Sequence, residues 1–230
     1  DEAYMPFVED AEKKGIIVTS QNATLPELQA EFASKGFGYV GQGLYSSGWM
    51  LGSGVVSKAG LKEGDRALVW GLRSQPTRGQ RTQGAIDALE DAGVIVDYID
   101  ISPEVDKDAA NGIPVIVGYL QANPDCKAVI TDHGNLTSAQ GTYFEAAGFG
   151  PDEIYGAGFD LSAATVESIK SGYTDLVLDQ QPFLQGFLPV MQIYLTKKFG
   201  FSGLDIDTGG GLISSENIDF VAPLAEQGIR

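Results

Sequence analysis

Short apolar runs alternate with amphipathic segments along most of this chain, and this alternation limits the folds that the sequence can adopt. Residues 67–70 and 128–130 are two of the apolar runs, and each precedes a segment with helical periodicity. Strands that alternate with helices indicate βαβ units and a parallel sheet. Because the crossovers of such units are right-handed, helices cover both faces of the sheet. The sequence therefore predicts an α/β fold with doubly wound parallel sheets.

The same periodicity assigns the individual elements. The predicted helices are amphipathic and span residues 2–14, 26–34, 46–58, 81–92, 106–122 and 139–147. The predicted strands are short and apolar and span residues 15–19, 37–40, 67–70, 94–101, 128–130, 154–158 and 176–178. No linker, internal repeat or low-complexity tract interrupts the pattern.

Charge and residue usage argue against several kinds of partner and cofactor. The formal net charge is −16, which argues against a nucleic-acid partner because phosphate binding needs clustered lysines and arginines. Cys126 is the only cysteine and His133 the only histidine, so no disulfide within the chain is expected, nor a metal site with several such ligands. No cofactor is predicted. No apolar run reaches about eighteen residues, so no membrane-spanning helix is expected.

Polar residues stand at the ends of two predicted strands in the second half of the chain. The run 155–159 is followed by Asp160, and the strand 176–178 is followed by Asp179-Gln180-Gln181-Pro182. Open α/β sheets bind small ligands where their parallel strands end. The spacing of these residues resembles the C-terminal lobe of the type 1 periplasmic sugar-binding proteins, the ribose-binding-like solute receptors of bacterial ABC importers.

The resemblance implies two Rossmann-like lobes joined by a hinge. Residues 1–42 with 182–208 would form the remainder of the N-terminal lobe, and residues 43–181 with 209–230 would form the C-terminal lobe. The family pattern begins with a strand, whereas this chain begins inside a predicted helix. The first lobe is therefore expected to be incomplete and to need sequence upstream of Asp1.

The resemblance also implies a function. A monomeric, periplasmic receptor would bind a sugar or a sugar-like polyol in the cleft between the lobes and present it to a membrane permease, although no signal peptide is visible in this chain. It would not be an enzyme. Two alternatives remain open at this point. One is the effector-binding core of a lac-repressor-type transcription regulator, which has the same fold, and the other is an α/β sugar-processing enzyme.

The resemblance assigns ligand contacts to four residues of the C-terminal lobe. Arg81 opens a helix, and its guanidinium would bind sugar oxygens with a planar set of donors. Asp132 and His133 end a strand where the family has a polar triplet, with His133 replacing a common asparagine. Asp160 would accept hydrogen bonds from two hydroxyls, or cap the following helix. Arg81 and Asp160 are expected to face one cleft and partly to neutralise each other.

Further ligand contacts are predicted at strand ends and near the hinge. They are polar or aromatic residues that the resemblance places beside the cleft: Gln21, Asn22, Gln180 and Phe183. Ser20-Gln21 departs from the Asp-Arg or Asp-Asn that is common at this strand end, which weakens the match at Gln21 and Asn22. Trp49 and Trp70 are expected in the core, because large aromatic residues of this kind are mostly buried.

Overall fold

The computed structural model describes residues 1–230. Its helices are α1 (Met5–Lys13), α2 (Pro26–Phe32), α3 (Leu44–Ala59), α4 (Gly79–Asp91), α5 (Pro103–Lys107), α6 (Ile113–Ala122), α7 (Gly134–Ser138), α8 (Gln140–Ala147), α9 (Ala163–Lys170), α10 (Pro182–Phe199) and α11 (Ile218–Ala225). Its strands are β1 (Ser20–Gln21), β2 (Tyr39–Gly41), β3 (Arg66–Gly71), β4 (Ile95–Asp100), β5 (Cys126–Thr131), β6 (Tyr155–Phe159), β7 (Leu176–Asp179), β8 (Asp205–Asp207) and β9 (Gly211–Ile213). Short 3-10 turns cover Ala33–Lys35 and Ala109–Gly112.

The chain divides into two compact units. Unit 1 consists of Asp1–Gly43 and Gln180–Gly209, and unit 2 consists of Leu44–Asp179 and Gly210–Arg230. Each unit has its own sheet, with three strands in unit 1 and six in unit 2. None of the helices is both long enough and apolar enough to cross a membrane.

The sheet of unit 2 has the order β4-β3-β5-β6-β7-β9. All neighbouring strands are parallel except β9, which runs antiparallel to β7 at the edge. From β3 the chain first adds β4 on one side and then returns to add β5 on the other. The strand order therefore reverses between β3 and β5. In open α/β sheets, ligands bind beyond the carboxyl ends of the strands at such a reversal.

Alternate residues of the unit 2 strands pack against helices on opposite faces of the sheet. On β3, Val69 packs in a cluster with Leu51 of α3 and Leu89 of α4. Its neighbour Trp70 packs on the other face in a cluster with Ile116 of α6. A sheet buried on both faces needs continuous apolar runs, which is why these strands lack a polar alternation. The doubly wound architecture predicted from the sequence is confirmed.

Two glycines allow α3 and α4 to touch along their backbones. A Cβ at Gly48 of α3 would lie 1.9 Å from the carbonyl oxygen of Arg81, and one at Gly84 of α4 would lie 2.2 Å from the carbonyl oxygen of Tyr45. Any side chain at either position would therefore push the helices apart. This close packing fixes the position of α4 relative to α3 and so places Arg81 beside the sheet.

The helix predicted over residues 106–122 is broken. Helix α5 ends at Lys107, a 3-10 turn follows at Ala109–Gly112, and α6 begins at Ile113. Pro114 lies in the first turn of α6, where its missing N–H has no helical partner to lose. In the middle of one long helix it would have removed a hydrogen bond and clashed with the preceding turn.

The sheet of unit 1 is parallel throughout, with the order β1-β2-β8. The strand predicted over residues 15–19 is wrong, because pairing begins only at Ser20, whose N–H donates to the carbonyl oxygen of Gly38 at 2.9 Å. Ahead of Gly38 the prospective partner segment curls into a 3-10 turn that ends at Gly36 with φ +102°. Ile16 therefore has no strand to pair with and is 54% exposed.

A buried carboxyl in unit 2 gives a pH-dependent prediction. Burial, reinforced by the charge of Asp152, raises the pKa of Asp175 to about 6, although the N–H of Gly156 donates to it. An unfolded aspartate titrates near pH ~3.9, so folding loses stability as the pH rises from about 4 to about 6. After allowance for solvent screening, Asp175→Asn should stabilise the protein by about 1–2 kcal/mol at pH 7 and by almost nothing at pH 4. Urea denaturation at the two pH values tests this, and an equal gain at both would contradict it.

Candidate functional site

Four of the predicted site residues lie at the carboxyl edge of the unit 2 sheet. Asp132 and His133 follow β5 directly, and Asp160 follows the neighbouring strand β6. Arg81 is in the first turn of α4, the helix that follows β3, on the other side of β5. Their strands are adjacent and include the reversal between β3 and β5. This is the region where a sheet of this topology binds ligands.

Arg81 and Asp132 form a buried, bidentate ion pair. The Nε of Arg81 donates to Oδ1 of Asp132 at 2.9 Å, and its Nη2 donates to Oδ2 at 3.2 Å. The same Nη2 also donates to the main-chain carbonyl oxygen of Asp132. The two residues are only 5% and 2% exposed. A guanidinium held at this many points has a fixed orientation, which prepares its remaining donors for a ligand.

The charges of this pair act on each other strongly. Burial alone would raise the pKa of the Asp132 carboxyl, but the charge and hydrogen bonds of Arg81, together with the neighbouring His133, outweigh it and hold that pKa below its ordinary value. The Arg81 guanidinium also lies over the ring of Phe159, 4.2 Å from its centroid. Burial lowers the pKa of Arg81, but the charge of Asp132 and, more weakly, that of Asp160 raise it. The expected partial neutralisation by Asp160 is therefore present, and Asp132 is the stronger partner. The sequence could not show this, since Asp132 and Asp160 both follow strands next to one another.

Asp160 has an unusual backbone conformation. Its φ is +72°, in the left-handed region that side chains other than glycine, asparagine and aspartate rarely adopt. A Cβ at Gly134 would lie 2.9 Å from the Cβ of Asp160, so the two segments approach closely there. The alternative role of Asp160 as a helix cap is wrong. Ser162 is the N-cap of α9, and its hydroxyl accepts from the N–H of Thr165 at 3.1 Å.

His133 contacts two residues that the sequence analysis did not assign to the site. Its Nε2 lies 3.0 Å from Nη2 of Arg78 and 3.0 Å from Oδ1 of Asp106. Its Nδ1 lies 3.3 Å from Oδ2 of Asp132. Arg78 precedes Arg81 by one helical turn, which is a signal in the sequence that both could reach one place. Asp106 offered no such signal, because its approach depends on how α5 packs.

Two predicted contacts of unit 1 lie at the end of β1. Gln21 is the last residue of that strand, and Asn22 follows it in the left-handed conformation, with φ +56°. Both side chains are exposed, and the N–H of Asn22 donates to the carbonyl oxygen of Val40 on β2 at 3.0 Å. They therefore stand at the carboxyl edge of the unit 1 sheet. A ligand contact at either residue remains a prediction.

The other two predicted contacts of unit 1 lie at the start of α10. The carboxamide oxygen of Gln180 accepts from Nε2 of Gln42 at 3.0 Å. Phe183 is 55% exposed and stacks on Phe187, with the ring centroids 6.3 Å apart. Neither observation tests the predicted ligand contact at Gln180 or at Phe183, and both remain predictions.

The two tryptophans of unit 2 differ in burial. Trp70 is 1% exposed and lies in the core, as expected. The expectation for Trp49 is wrong, because it is 37% exposed on α3 and stacks on Tyr45 instead of packing inside. The two rings are one helical turn apart, and this spacing favours contact on the surface of the helix.

The chain belongs to a family of periplasmic binding proteins. A family model described as "Periplasmic binding protein domain" matches residues 1–198, which is most of the sequence. This agrees with the two sheets and with the polar residues at the carboxyl ends of their strands. The resemblance noted from the sequence is thereby confirmed at the level of the family.

The relatives are named as binding or transport proteins. The chain is 28% identical over 226 residues to the xylose/arabinose-binding protein XylF of Sulfolobus acidocaldarius, covering 94% of this chain and 55% of XylF. It therefore spans little more than half of that curated relative. A crystal structure of a carbohydrate transporter from Acidothermus cellulolyticus, in complex with myo-inositol, is 21% identical with a TM-score of 0.77, covering 98% of this chain and 74% of that one. A sugar-binding protein of a sugar ABC transporter from Bacillus halodurans is 18% identical with a TM-score of 0.78, covering 94% and 75%.

The comparisons also bear on the alternatives left open by the sequence. The similar structures establish the type 1 periplasmic binding fold for the residues that they share with this chain. A lac-repressor-type regulator is not favoured, because these relatives are named as binding or transport proteins. At the level of the family, the relatives are solute-binding proteins and not enzymes.

Proposed function

We propose that this chain is the sugar-binding part of a solute receptor of an ABC importer. The observation that carries the proposal is the buried Arg81–Asp132 pair at the strand reversal of unit 2, with Asp160 after the neighbouring strand. The membership of the periplasmic binding protein family supports it. The receptor would act outside the cytoplasmic membrane and deliver its ligand to a permease, as a monomer and without a nucleic-acid partner.

In this proposal each residue of the unit 2 edge has a defined role. Arg81 donates hydrogen bonds to ring and hydroxyl oxygens, and Asp132 holds it in place. Asp160 accepts from hydroxyl groups, since a carboxylate is purely an acceptor. His133 completes the polar surface. The unit 1 residues Gln21, Asn22, Gln180 and Phe183 are proposed as further contacts, each testable by its own substitution.

The proposed ligand is a neutral sugar or polyol. A guanidinium that is already neutralised by a buried carboxylate offers hydrogen-bond donors without a net positive charge for an anion. The relatives point to the same class, since XylF is named for xylose and arabinose and the Acidothermus structure contains myo-inositol. Sugars with a carboxylate or phosphate group should bind poorly, because the acidic side chains of this edge would repel them.

A thermal-shift screen tests the proposed function. The panel is xylose, arabinose, myo-inositol and their acidic analogues, measured on the chain and on Asp160→Asn. A ligand at about 100 times its dissociation constant adds about 2.7 kcal/mol, which should raise Tm by roughly 5–10 °C in a chain of this size. At least one neutral compound should produce this shift in the original chain, and at the same concentration the shift of the variant should fall to about a third.

Two outcomes would overturn the proposal. The first is the absence of any shift with neutral sugars and polyols. The second is the conversion of a bound sugar into another compound, followed by NMR of the sugar carbons over several hours, because a receptor releases its ligand unchanged. Asp152→Asn is the matched control, since Asp152 is also an aspartate in the left-handed conformation, with φ +60°, but lies in the turn before β6, at the opposite end of that strand from Asp160.

A further inference from the structure

His133 is surrounded by charged groups that come from several elements. Arg78 approaches from the segment before α4 and Asp106 from α5, while Asp132 precedes it in the chain. Arg81 of α4 forms the ion pair with Asp132, and Asp160 follows β6. The imidazole is 8% exposed, so water cannot replace these partners easily.

The Nε2 atom of His133 cannot satisfy both of its neighbours in one protonation state. If Nε2 carries no proton, it accepts a hydrogen bond from Nη2 of Arg78 at 3.0 Å. If Nε2 carries a proton, it donates to Oδ1 of Asp106 at 3.0 Å, and Arg78 loses its acceptor. Asp106 therefore favours a protonated Nε2, and Arg78 favours a bare one.

The second ring nitrogen links this choice to the buried ion pair. Nδ1 lies 3.3 Å from Oδ2 of Asp132, but it is buried and completes no hydrogen bond. The same Oδ2 accepts from Nη2 of Arg81 at 3.2 Å. An imidazolium would attract this oxygen and weaken its contact with Arg81. The orientation of Arg81 consequently depends on the charge of His133.

We propose that Arg78 and Asp106 are positioning residues that compete for Nε2 of His133 and thereby couple ligand binding at Arg81 to the protonation of His133. The proposal rests on the proposed function for its ligand, but not for the competition itself. Neutral His133 that accepts from Arg78 carries its proton on Nδ1, so it faces Oδ2 of Asp132 as an uncharged donor and leaves the charge of the carboxylate to Arg81. Protonated His133 draws Oδ2 away, and sugar affinity falls as the pH decreases.

Because His133 is the only histidine, its protonation can be observed directly. In protein labelled with ¹⁵N-histidine, one pair of imidazole nitrogen signals reports the tautomer and the charge between pH 5 and 8, where histidines ordinarily titrate. Asp106→Asn should move the titration midpoint to lower pH, because the cation loses a carboxylate. Arg78→Gln should move it to higher pH, because a repelling charge is removed.

Calorimetric titration with xylose, arabinose and myo-inositol at pH 5 and pH 8 measures the coupling. We expect about fivefold weaker binding at pH 5, at the low end of usual couplings between sites. By reciprocity, saturating sugar should lower the NMR midpoint by the same factor, which is about 0.7 pH unit. His133→Asn should bind with the same affinity at both pH values. Asp175→Asn is the control for a carboxyl that also titrates in this range, and it should retain the fivefold difference.

The competition for Nε2 and the coupling to ligand binding can be contradicted independently. A midpoint that neither Asp106→Asn nor Arg78→Gln moves would overturn the competition, whatever the ligand. A His133→Asn variant that keeps the full pH dependence of binding would overturn the coupling. If no sugar of the panel binds at either pH, the proposed function is wrong, and the titration of the unliganded protein still decides the competition.

Discussion

Replacing Arg81 by methionine should lower the free energy of unfolding by about 3–5 kcal/mol at pH 7, the usual cost of breaking a buried ion pair. Asp132 would remain almost fully buried after losing the two guanidinium donors that contact its carboxylate at 2.9 and 3.2 Å. Methionine is similar in length to the arginine stem, so little packing volume is lost. Urea denaturation followed by circular dichroism measures the effect.

The pH dependence identifies the ion pair as the cause. The pKa of Asp132 is lowered in the folded chain, so the stability due to the pair is present above an unfolded pKa of about 3.9 and is lost as the pH falls through the lower folded value. In Arg81→Met, burial without a cation should raise that pKa instead. The loss should therefore be largest at pH 7 and shrink towards pH 4.

An exposed ion pair provides the control for this experiment. Lys58 and Glu216 lie 2.8 Å apart, with side chains 38% and 76% exposed. Lys58→Met should change stability far less than Arg81→Met, because water and salt screen such pairs. If Arg81→Met and Lys58→Met have equal effects, the Arg81–Asp132 pair does not organise this edge of the sheet.

The sequence predicts the unit 2 fold well because its signals are local. Apolar runs such as residues 67–70 are long enough to be buried on both faces of a sheet, and the polar residues that follow them mark the carboxyl edge. The order of strands and the right-handed crossovers then bring Asp132, Asp160 and Arg81 to adjacent positions. No pairing of distant side chains has to be known for this step.

The features that the sequence did not predict depend on the position of a neighbouring helix or strand. Ile16 belongs to an apolar run, yet its segment forms no strand because the facing segment turns at Gly36. The pairing of Arg81 with Asp132 depends on the position of α4, which Gly48 of α3 permits through its close contact with the α4 backbone. Neither outcome can be read from the periodicity of one segment. Both follow once the neighbouring backbone is in place.

Replacing Asp160 by asparagine should weaken sugar binding by about 30-fold, equivalent to about 2 kcal/mol, because hydrogen bonds to a charged acceptor contribute about 1.5–3 kcal/mol. Asparagine has the same size and tolerates the left-handed backbone at φ +72°. The change therefore removes the charge and leaves the local conformation intact. Calorimetric titration with the panel sugar that gives the largest thermal shift measures the loss.

A second substitution separates ligand binding from backbone strain. Asp160→Gly removes the carboxylate and also relieves a left-handed conformation that costs about 1 kcal/mol or more for other residues. It should leave stability unchanged or raise it, while sugar affinity falls at least as far as in Asp160→Asn. Asp152→Asn, at the other left-handed aspartate beside β6, should bind the sugar as the original chain does. If both Asp160 variants bind within twofold of the original chain, Asp160 does not contact the sugar, and the ligand must bind elsewhere than this edge of unit 2.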